Sequence, residues 1–118
     1  MQVTIFHNPR CSKSRQTLQL LEEKSLATNV IEYLKEPPSR ATLEQVLAEL
    51  KMEPRELMRQ NETVYKELNL ADTTLSRDEL IDAMLNNPIL IERPIVIVDN
   101  VKVALGRPPE NVLRIIES

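Results

Sequence analysis

The only cysteine and the only histidine of this 118-residue chain lie four positions apart, at Cys11 and His7. A cysteine acts as a nucleophile through its thiolate, so its reactivity depends on surroundings that favour the charged form. Cationic side chains stand near Cys11 at Arg10, Lys13 and Arg15. A lone cysteine is most often a small buried hydrophobe, but the charged neighbours favour a reactive thiol at this position.

A short strand and an amphipathic helix are predicted on either side of Cys11. An apolar, β-branched run indicates a strand over about residues 2–6. A spacing of three and four predicts a helix over about 12–24 whose inner face carries Ser14, Thr17, Leu18 and Leu21. Cys11 would then lie in a strand-to-helix turn. The unpaired N–H groups and the positive dipole end of a helix N-terminus stabilise a thiolate, and they could also hold an oxyanion beside the sulfur.

The remaining elements follow from periodicity and from turn and capping residues. The sequence first predicts a strand around 29–33, a helix capped by Ser39 or Thr42, a short helix from Pro54 that ends at Arg59, and a brief helix or turn around 64–70. The next predicted helix is opened by the capping box Ser76-Arg77-Asp78-Glu79 and ended by Asn86-Asn87-Pro88. The last part is predicted to contain a strand over 95–98, a two-residue turn at Asp99-Asn100, a strand over 101–105, and a helix from Pro108-Pro109.

This order is β-α-β, a helical block, then β-β-α. Without the helical block it is the order of the thioredoxin fold, whose usual site lies at the end of the first strand. We therefore expect an α/β, thioredoxin-like fold in a single domain over residues 1–118, with a helical insertion at about 39–88.

Composition excludes several classes of function. The net charge is −3 and no basic stripe appears outside the Cys11 segment, which argues against a nucleic-acid partner. No apolar run approaches the roughly 18 residues of a membrane span, and the N-terminus does not resemble an export signal. One cysteine and one histidine are too few for a four-ligand zinc site. We expect a cytoplasmic protein with no bound metal or cofactor and no membrane partner.

The segment Cys11-Ser12-Lys13-Ser14 has a serine where a dithiol redox motif carries its second cysteine. A catalytic Cys11 would therefore need an outside thiol to complete its cycle. His7 could stabilise the thiolate as an imidazolium, or it could simply hydrogen-bond to the backbone of the turn.

Three further arginines stand beside helix ends, prolines or the only glycine: Arg59, Arg93 and Arg107. A single arginine is usually a solvated surface residue. The pair Arg93-Pro94 is more informative, because in a thioredoxin-type fold a proline at the start of this strand commonly packs against the active cysteine. Arg93 would then lie next to Cys11, where a guanidinium suits an oxyanion.

Seven segments together match the pattern of one protein family. They are His7-Asn8-Pro9-Arg10-Cys11, Ser14-Arg15 with Thr17-Leu18, Tyr33-Leu34 with Pro37-Pro38, Leu57-Met58-Arg59-Gln60-Asn61, the run from Tyr65 to Ala71, the run from Asn87 to Val96, and Gly106-Arg107-Pro108-Pro109-Glu110. On these segments the chain resembles the glutaredoxin-coupled arsenate reductase (ArsC) family over nearly its whole length.

The resemblance implies a reaction and a set of site residues. Cys11 would attack arsenate to form a thioarsenate adduct, glutathione would attack the arsenic as co-substrate, and glutaredoxin would reduce the mixed species and release arsenite. His7 would help to lower the pKa of Cys11. The oxyanion would be held by Arg59, Arg93 and Arg107, with Ser14 and Arg15 from the Cys11 segment.

Three other protein classes fit the sequence less well. A regulator of the same fold that binds RNA polymerase is the main alternative, but it typically carries Cys-x-x-Cys, and Ser14 replaces the second cysteine. A low-molecular-weight phosphatase needs Cys-x5-Arg, whereas Arg15 is four residues after Cys11. A monothiol glutaredoxin would be expected to show Gly-Phe where Ser12-Lys13 stands.

Overall fold

The computed structural model describes residues 1–116, which belong to two compact units. One unit consists of residues 1–36 and 93–116, and the other of residues 37–92. In chain order, the strands and α-helices are β1 (Val3–His7), α1 (Ser12–Glu23), β2 (Thr28–Glu32), α2 (Arg40–Leu50), α3 (Thr63–Glu67), α4 (Arg77–Asn86), β3 (Ile95–Val98), β4 (Lys102–Leu105) and α5 (Leu113–Ile116). Short 3-10 helices span Pro54–Leu57, Pro88–Leu90 and Pro109–Val112.

The first unit is built on a four-stranded sheet with the strand order β2-β1-β3-β4. β1 is parallel to β2, with Val3 opposite Thr28, which confirms the predicted parallel strand–helix–strand unit. β3 is antiparallel to both β1 and β4. The order β-α-β followed by β-β-α is that of the predicted α/β, thioredoxin-like fold.

One buried apolar cluster of this unit lies on one face of the sheet, and Phe6, Ile95 and Ile97 are buried on the opposite face. Side chains alternate along a strand, so Val3 and Ile5 of β1 point to the same side as Val96 and Val98 of β3. Leu21 of α1 joins them, since the spacing of the helix places an apolar stripe towards the sheet. The complete cluster is Val3, Ile5, Leu21, Val96, Val98, Ala104, Val112 and Ile116.

Asp99 and Asn100 form the predicted two-residue turn between β3 and β4. Both have positive φ, 53° and 59°, a region that aspartate and asparagine tolerate better than most residues. The Val101 N–H donates to the Val98 carbonyl at 3.1 Å, so Val101 closes the turn. β4 therefore begins at Lys102, one residue later than predicted.

The second unit is helical, and its helices begin where the capping residues predicted. The Ser39 hydroxyl accepts the Thr42 N–H at the start of α2, and Ser76 and Glu79 form a reciprocal capping box at the start of α4. Buried apolar residues of α2 and α4 supply much of its core: Leu43, Val46, Leu47, Leu80, Ile81 and Met84.

The prediction that Arg59 ends a short helix is wrong. The 3-10 helix ends at Leu57, and the chain then runs extended against residues 90–92. The Arg59 N–H donates to the Leu90 carbonyl at 2.7 Å, and the Glu92 N–H donates to the Leu57 carbonyl at 2.8 Å. These strand-like hydrogen bonds take the backbone groups that a continuing helix would have used.

Across residues 1–116, no helix is both long and apolar enough to cross a membrane.

Candidate active site

Cys11 lies at the N-cap of α1, in the turn that links β1 to the helix. The turn is closed by the Cys11 N–H, which donates to the Asn8 carbonyl at 3.0 Å, and the Arg15 N–H donates to the Cys11 carbonyl at 3.0 Å. The Cys11 residue remains partly exposed. This is the strand-to-helix position that the sequence predicted, with the sulfur accessible for chemistry.

The pKa of the Cys11 thiol is lowered from its ordinary value. Burial, the largest single influence, opposes this shift by disfavouring the thiolate. It is outweighed by the backbone N–H of Ser14, by a hydrogen bond and the positive charge of Arg93, and by the backbone N–H of Lys13. The N–H groups of the first helical turn therefore lower the pKa of the Cys11 thiol, as predicted for a cysteine at a helix N-terminus.

Arg93 is the side chain that contributes most to lowering this pKa. It lies directly before β3 and is joined to Pro94 by a cis peptide bond. Its side chain hydrogen-bonds to the Cys11 sulfur, the neighbourhood that the Arg93-Pro94 pattern predicted. Its Nε and Nη1 atoms are buried and have no hydrogen-bond partner within residues 1–116. Buried donors without partners are rare, because each forfeits hydration without compensation. These two nitrogens therefore mark a place for an acceptor such as an oxyanion.

Arg107 is the second guanidinium at the thiol. Its Nη2 lies 3.6 Å from the Cys11 sulfur, and its Nε donates to the Arg93 carbonyl at 2.7 Å. The hydrogen bond to the Arg93 carbonyl fixes the orientation of the Arg107 side chain. A thiolate with two cationic groups beside it can attract an anionic electrophile and stabilise the charge that develops on it.

Gly106 allows the Arg107 segment to approach α1. Its N–H donates to the Pro94 carbonyl at 2.9 Å. A Cβ atom placed on Gly106 would lie 2.6 Å from Thr17 Oγ1 and 2.7 Å from Pro94 Cγ. The only glycine of the chain is thus required by space, and its φ is not positive.

His7 adopts neither of the two arrangements considered from the sequence. Its Nδ1 lies 2.6 Å from Ser14 Oγ, so its partner is a side chain and not the backbone of the turn. Burial lowers the pKa of His7, Glu32 opposes that shift, and Arg15 adds to it. A histidine with a lowered pKa is neutral near pH 7, which argues against an imidazolium beside the thiolate.

Ser14 and Arg15, which were predicted to bind the substrate, make hydrogen bonds to residues 7–9 at the start of the Cys11 turn. The Ser14 side chain is fully buried, and its hydroxyl accepts the Asn8 N–H at 3.0 Å besides its contact with His7. The part of Ser14 that acts on the thiol is its backbone N–H. Arg15 donates from Nη1 to the Pro9 carbonyl at 2.9 Å and so braces the loop.

Asn8 is the loop residue that sequence analysis missed. Besides its contacts with Cys11 and Ser14, its side-chain oxygen accepts the Arg10 N–H at 3.0 Å. An asparagine before a proline favours this kind of turn, so the Asn8-Pro9 pair was a usable signal.

Arg59 belongs to the second unit, where its guanidinium forms two ion pairs. Nε lies 3.1 Å from Glu62 and Nη1 lies 2.9 Å from Glu92. Of the predicted site residues, the first unit brings together Cys11, Arg93 and Arg107. The two glutamates were not identified from the sequence, although Glu62 stands three residues after Arg59.

No cluster of three potential metal ligands among histidine, cysteine, aspartate and glutamate occurs within the described part of the chain. The first unit supplies an activated thiol and two guanidinium groups. Its fold and site define a thioredoxin-like protein with a partly exposed cysteine of lowered pKa beside two guanidinium groups.

The chain belongs to the ArsC family, whose family model matches residues 6–115. It is 57% identical to the protein YfgD of Escherichia coli (strain K12) over 98% of this chain and 97% of that protein. It is 46% identical to an arsenate reductase of Neisseria meningitidis serogroup B, covering 94% of this chain and 95% of that enzyme. A solved structure of arsenate reductase from Vibrio cholerae is 51% identical and superposes with a TM-score of 0.92, covering 98% of both chains.

Proposed function

We propose that this protein is an arsenate reductase that uses the Cys11 thiolate as its nucleophile. The observation that carries the proposal is the pair of buried, unpartnered nitrogens of Arg93 at a thiol of lowered pKa. Relatives that bear the name arsenate reductase cover nearly all of the chain at 42–46% identity, which supports the same substrate here.

In the first step, the Cys11 sulfur attacks the arsenic of arsenate. A sulfur–arsenic bond forms, and an arsenate oxygen leaves as water after taking up protons. Arsenate is largely dianionic near neutral pH, so a thiolate approaches it readily only where cations offset the repulsion. Arg93 and Arg107 provide that charge beside the sulfur, and by family resemblance Arg59 also binds the oxyanion.

Outside thiols complete the cycle, because the chain contains no second cysteine. Glutathione displaces another oxygen and binds to the arsenic. A glutaredoxin thiolate then attacks the glutathione sulfur, a disulfide forms between the two, and the electron pair of the breaking sulfur–arsenic bond reduces As(V) to As(III). Water releases arsenite and returns Cys11 as a thiol. We further propose the cytoplasm as the setting, since the cycle requires a reduced Cys11 and a glutathione supply.

The test is oxidation of NADPH coupled through glutathione reductase, glutathione and glutaredoxin, with arsenate as the substrate. Wild type would be compared with Cys11→Ser, Arg93→Ala and Arg107→Ala. The control is Arg114→Ala, which removes the same charge from an exposed position.

We expect arsenate-dependent turnover that is abolished in Cys11→Ser, strongly reduced in the two arginine variants, and close to wild type in Arg114→Ala. Absence of turnover by folded wild type would overturn the proposal. Equal losses in Arg93→Ala and in the control would overturn the assignment of Arg93 to the oxyanion.

A further inference from the structure

Arg59 differs from Arg93 in the hydrogen-bond acceptors that surround its guanidinium. Two separate carboxylates accept from it, Glu62 at Nε and Glu92 at Nη1. The three side chains are each about a quarter exposed, at 25%, 28% and 23%. Arg93, in contrast, keeps two buried nitrogens for which the described residues supply no acceptor.

A carboxylate and a tetrahedral oxyanion are the same kind of partner for an arginine. Both present negatively charged oxygens that accept two N–H groups of the guanidinium fork. Glu62 and Glu92 accept from Nε and Nη1 of Arg59, so an oxyanion that binds along this edge of the guanidinium must share or displace those donors, and the two carboxylates offset the positive charge that it meets. Both effects weaken its binding to this arginine.

We propose that Glu62 and Glu92 are affinity-determining residues, which hold Arg59 in a fixed orientation and compete with tetrahedral oxyanions for its guanidinium. This inference rests on the proposed function, in which Arg59 is a ligand of the oxyanion. The two glutamates do not touch the reacting atoms in this scheme. They act through Arg59, and their effect falls on substrate binding more than on the chemical step.

The geometry around Arg59 shows how the orientation is maintained. Its backbone N–H is bonded to the Leu90 carbonyl, and the Glu92 N–H is bonded to the Leu57 carbonyl. The Arg59–Glu92 ion pair therefore spans a short antiparallel pairing, and Glu62 lies on the chain that continues from Arg59. A glutamine at either position keeps an oxygen that can accept the same N–H, while the competing charge is removed.

The experiment measures KM and kcat for arsenate in Glu62→Gln and Glu92→Gln. A partly exposed ion pair contributes up to about 1 kcal/mol, so we expect KM to fall about two- to fivefold in each variant, with kcat within about twofold of wild type. The matched control is Glu44→Gln, which removes the same charge and breaks another ion pair of this unit, that with Arg77. Its KM should not change.

A second measurement does not depend on turnover. Sulfate is an unreactive tetrahedral dianion, and its binding can be followed as protection of Cys11 from iodoacetamide. We expect half-protection at about two- to fivefold less sulfate in the two glutamine variants than in wild type. In an Arg59→Ala background, Glu62→Gln should have no further effect, because the group for which it competes is gone.

The outcomes separate the two proposals. Absence of arsenate turnover with sulfate protection strengthened in the glutamine variants would overturn the reductase function and support the role of the glutamates. An unchanged or increased KM, together with unchanged sulfate protection, in folded glutamine variants would overturn the inference. So would the same change in Glu44→Gln, or an effect of Glu62→Gln that persists without Arg59.

Discussion

Gly106→Ala is expected to destabilise the protein through two steric contacts. The new Cβ atom would lie 2.6 Å from Thr17 Oγ1 and 2.7 Å from Pro94 Cγ. Neither neighbour moves easily, because Thr17 is fully buried and donates to the Lys13 carbonyl at 2.8 Å, and Pro94 is buried directly before β3. The backbone around Gly106 must shift instead.

The magnitude follows from the cost of overpacking. One extra methyl group in a closely packed interior costs about 1–3 kcal/mol when the backbone has to move. The φ of Gly106 is not positive, so alanine brings no conformational penalty of its own. We therefore expect the free energy of unfolding to fall by about 1–3 kcal/mol, entirely for steric reasons.

The assay is urea unfolding of four proteins: wild type, Gly106→Ala, Thr17→Ala and the double variant. Thr17→Ala removes both Thr17 atoms that the new Cβ would meet, together with a hydrogen bond within α1. The two losses should therefore not add. We expect the double variant to be more stable than the sum of the single variants predicts by about 1 kcal/mol or more.

A free energy of unfolding of Gly106→Ala within about 0.5 kcal/mol of the wild-type value would refute the predicted steric overlap, because ordinary surface substitutions change stability by as much. Strict additivity with Thr17→Ala would refute the contact with Thr17. Because Arg107 follows Gly106 directly, reaction of Cys11 with iodoacetamide should also slow in Gly106→Ala and recover in part in the double variant.

Three further predictions concern the loop and its thiol. Arg93→Ala should raise the pKa of Cys11, because it removes a hydrogen bond and a positive charge from the thiolate, and the iodoacetamide rate should then rise only at higher pH than in wild type. The pKa of His7 is lowered from 6.5, so the unfolded chain binds a proton more readily than the native state, and stability is lost as the pH falls from about 6.5 through the lowered pKa. In urea unfolding, His7→Gln should therefore lose less stability than wild type between about pH 7.5 and pH 5. Ser14→Ala deprives the buried Asn8 N–H of its acceptor and should cost about 1–3 kcal/mol in the same assay, against a negligible change in the exposed Ser12→Ala.

Each of these has a contrary result. An unchanged pH profile in Arg93→Ala would show that Arg93 does not lower the pKa of Cys11. An acid sensitivity of His7→Gln equal to that of wild type would show that other groups control it. Equal stability of Ser14→Ala and Ser12→Ala would show that the Asn8 N–H finds another acceptor.

Local patterns in the sequence predicted most of the strands, helices and turns of the fold. Capping residues marked the starts of α2 and α4, and the Asp99-Asn100 pair marked the hairpin turn, because these signals act between residues a few positions apart. Arg59 shows the limit of such signals. The helix before it ends early because residues 90–92 offer hydrogen bonds to the extended chain, and no local pattern reports a partner so distant in sequence.

From the sequence alone it follows that Cys11 is the single thiol, that it lies in a strand-to-helix turn, and that a catalytic Cys11 would need an outside thiol to complete its cycle. These conclusions depend on composition and on neighbours along the chain. The Arg93-Pro94 pattern predicted Arg93 beside Cys11, but that Arg107 also reaches the sulfur and Arg15 does not follows from the tertiary structure. Arg93 and Arg107 arrive from the segments flanking the β3–β4 hairpin, whereas the adjacent Arg15 turns to the Pro9 carbonyl. A charged side chain lowers the pKa of the thiol only when it lies close to the sulfur, and the pairing of strands distant in sequence sets which side chains lie there.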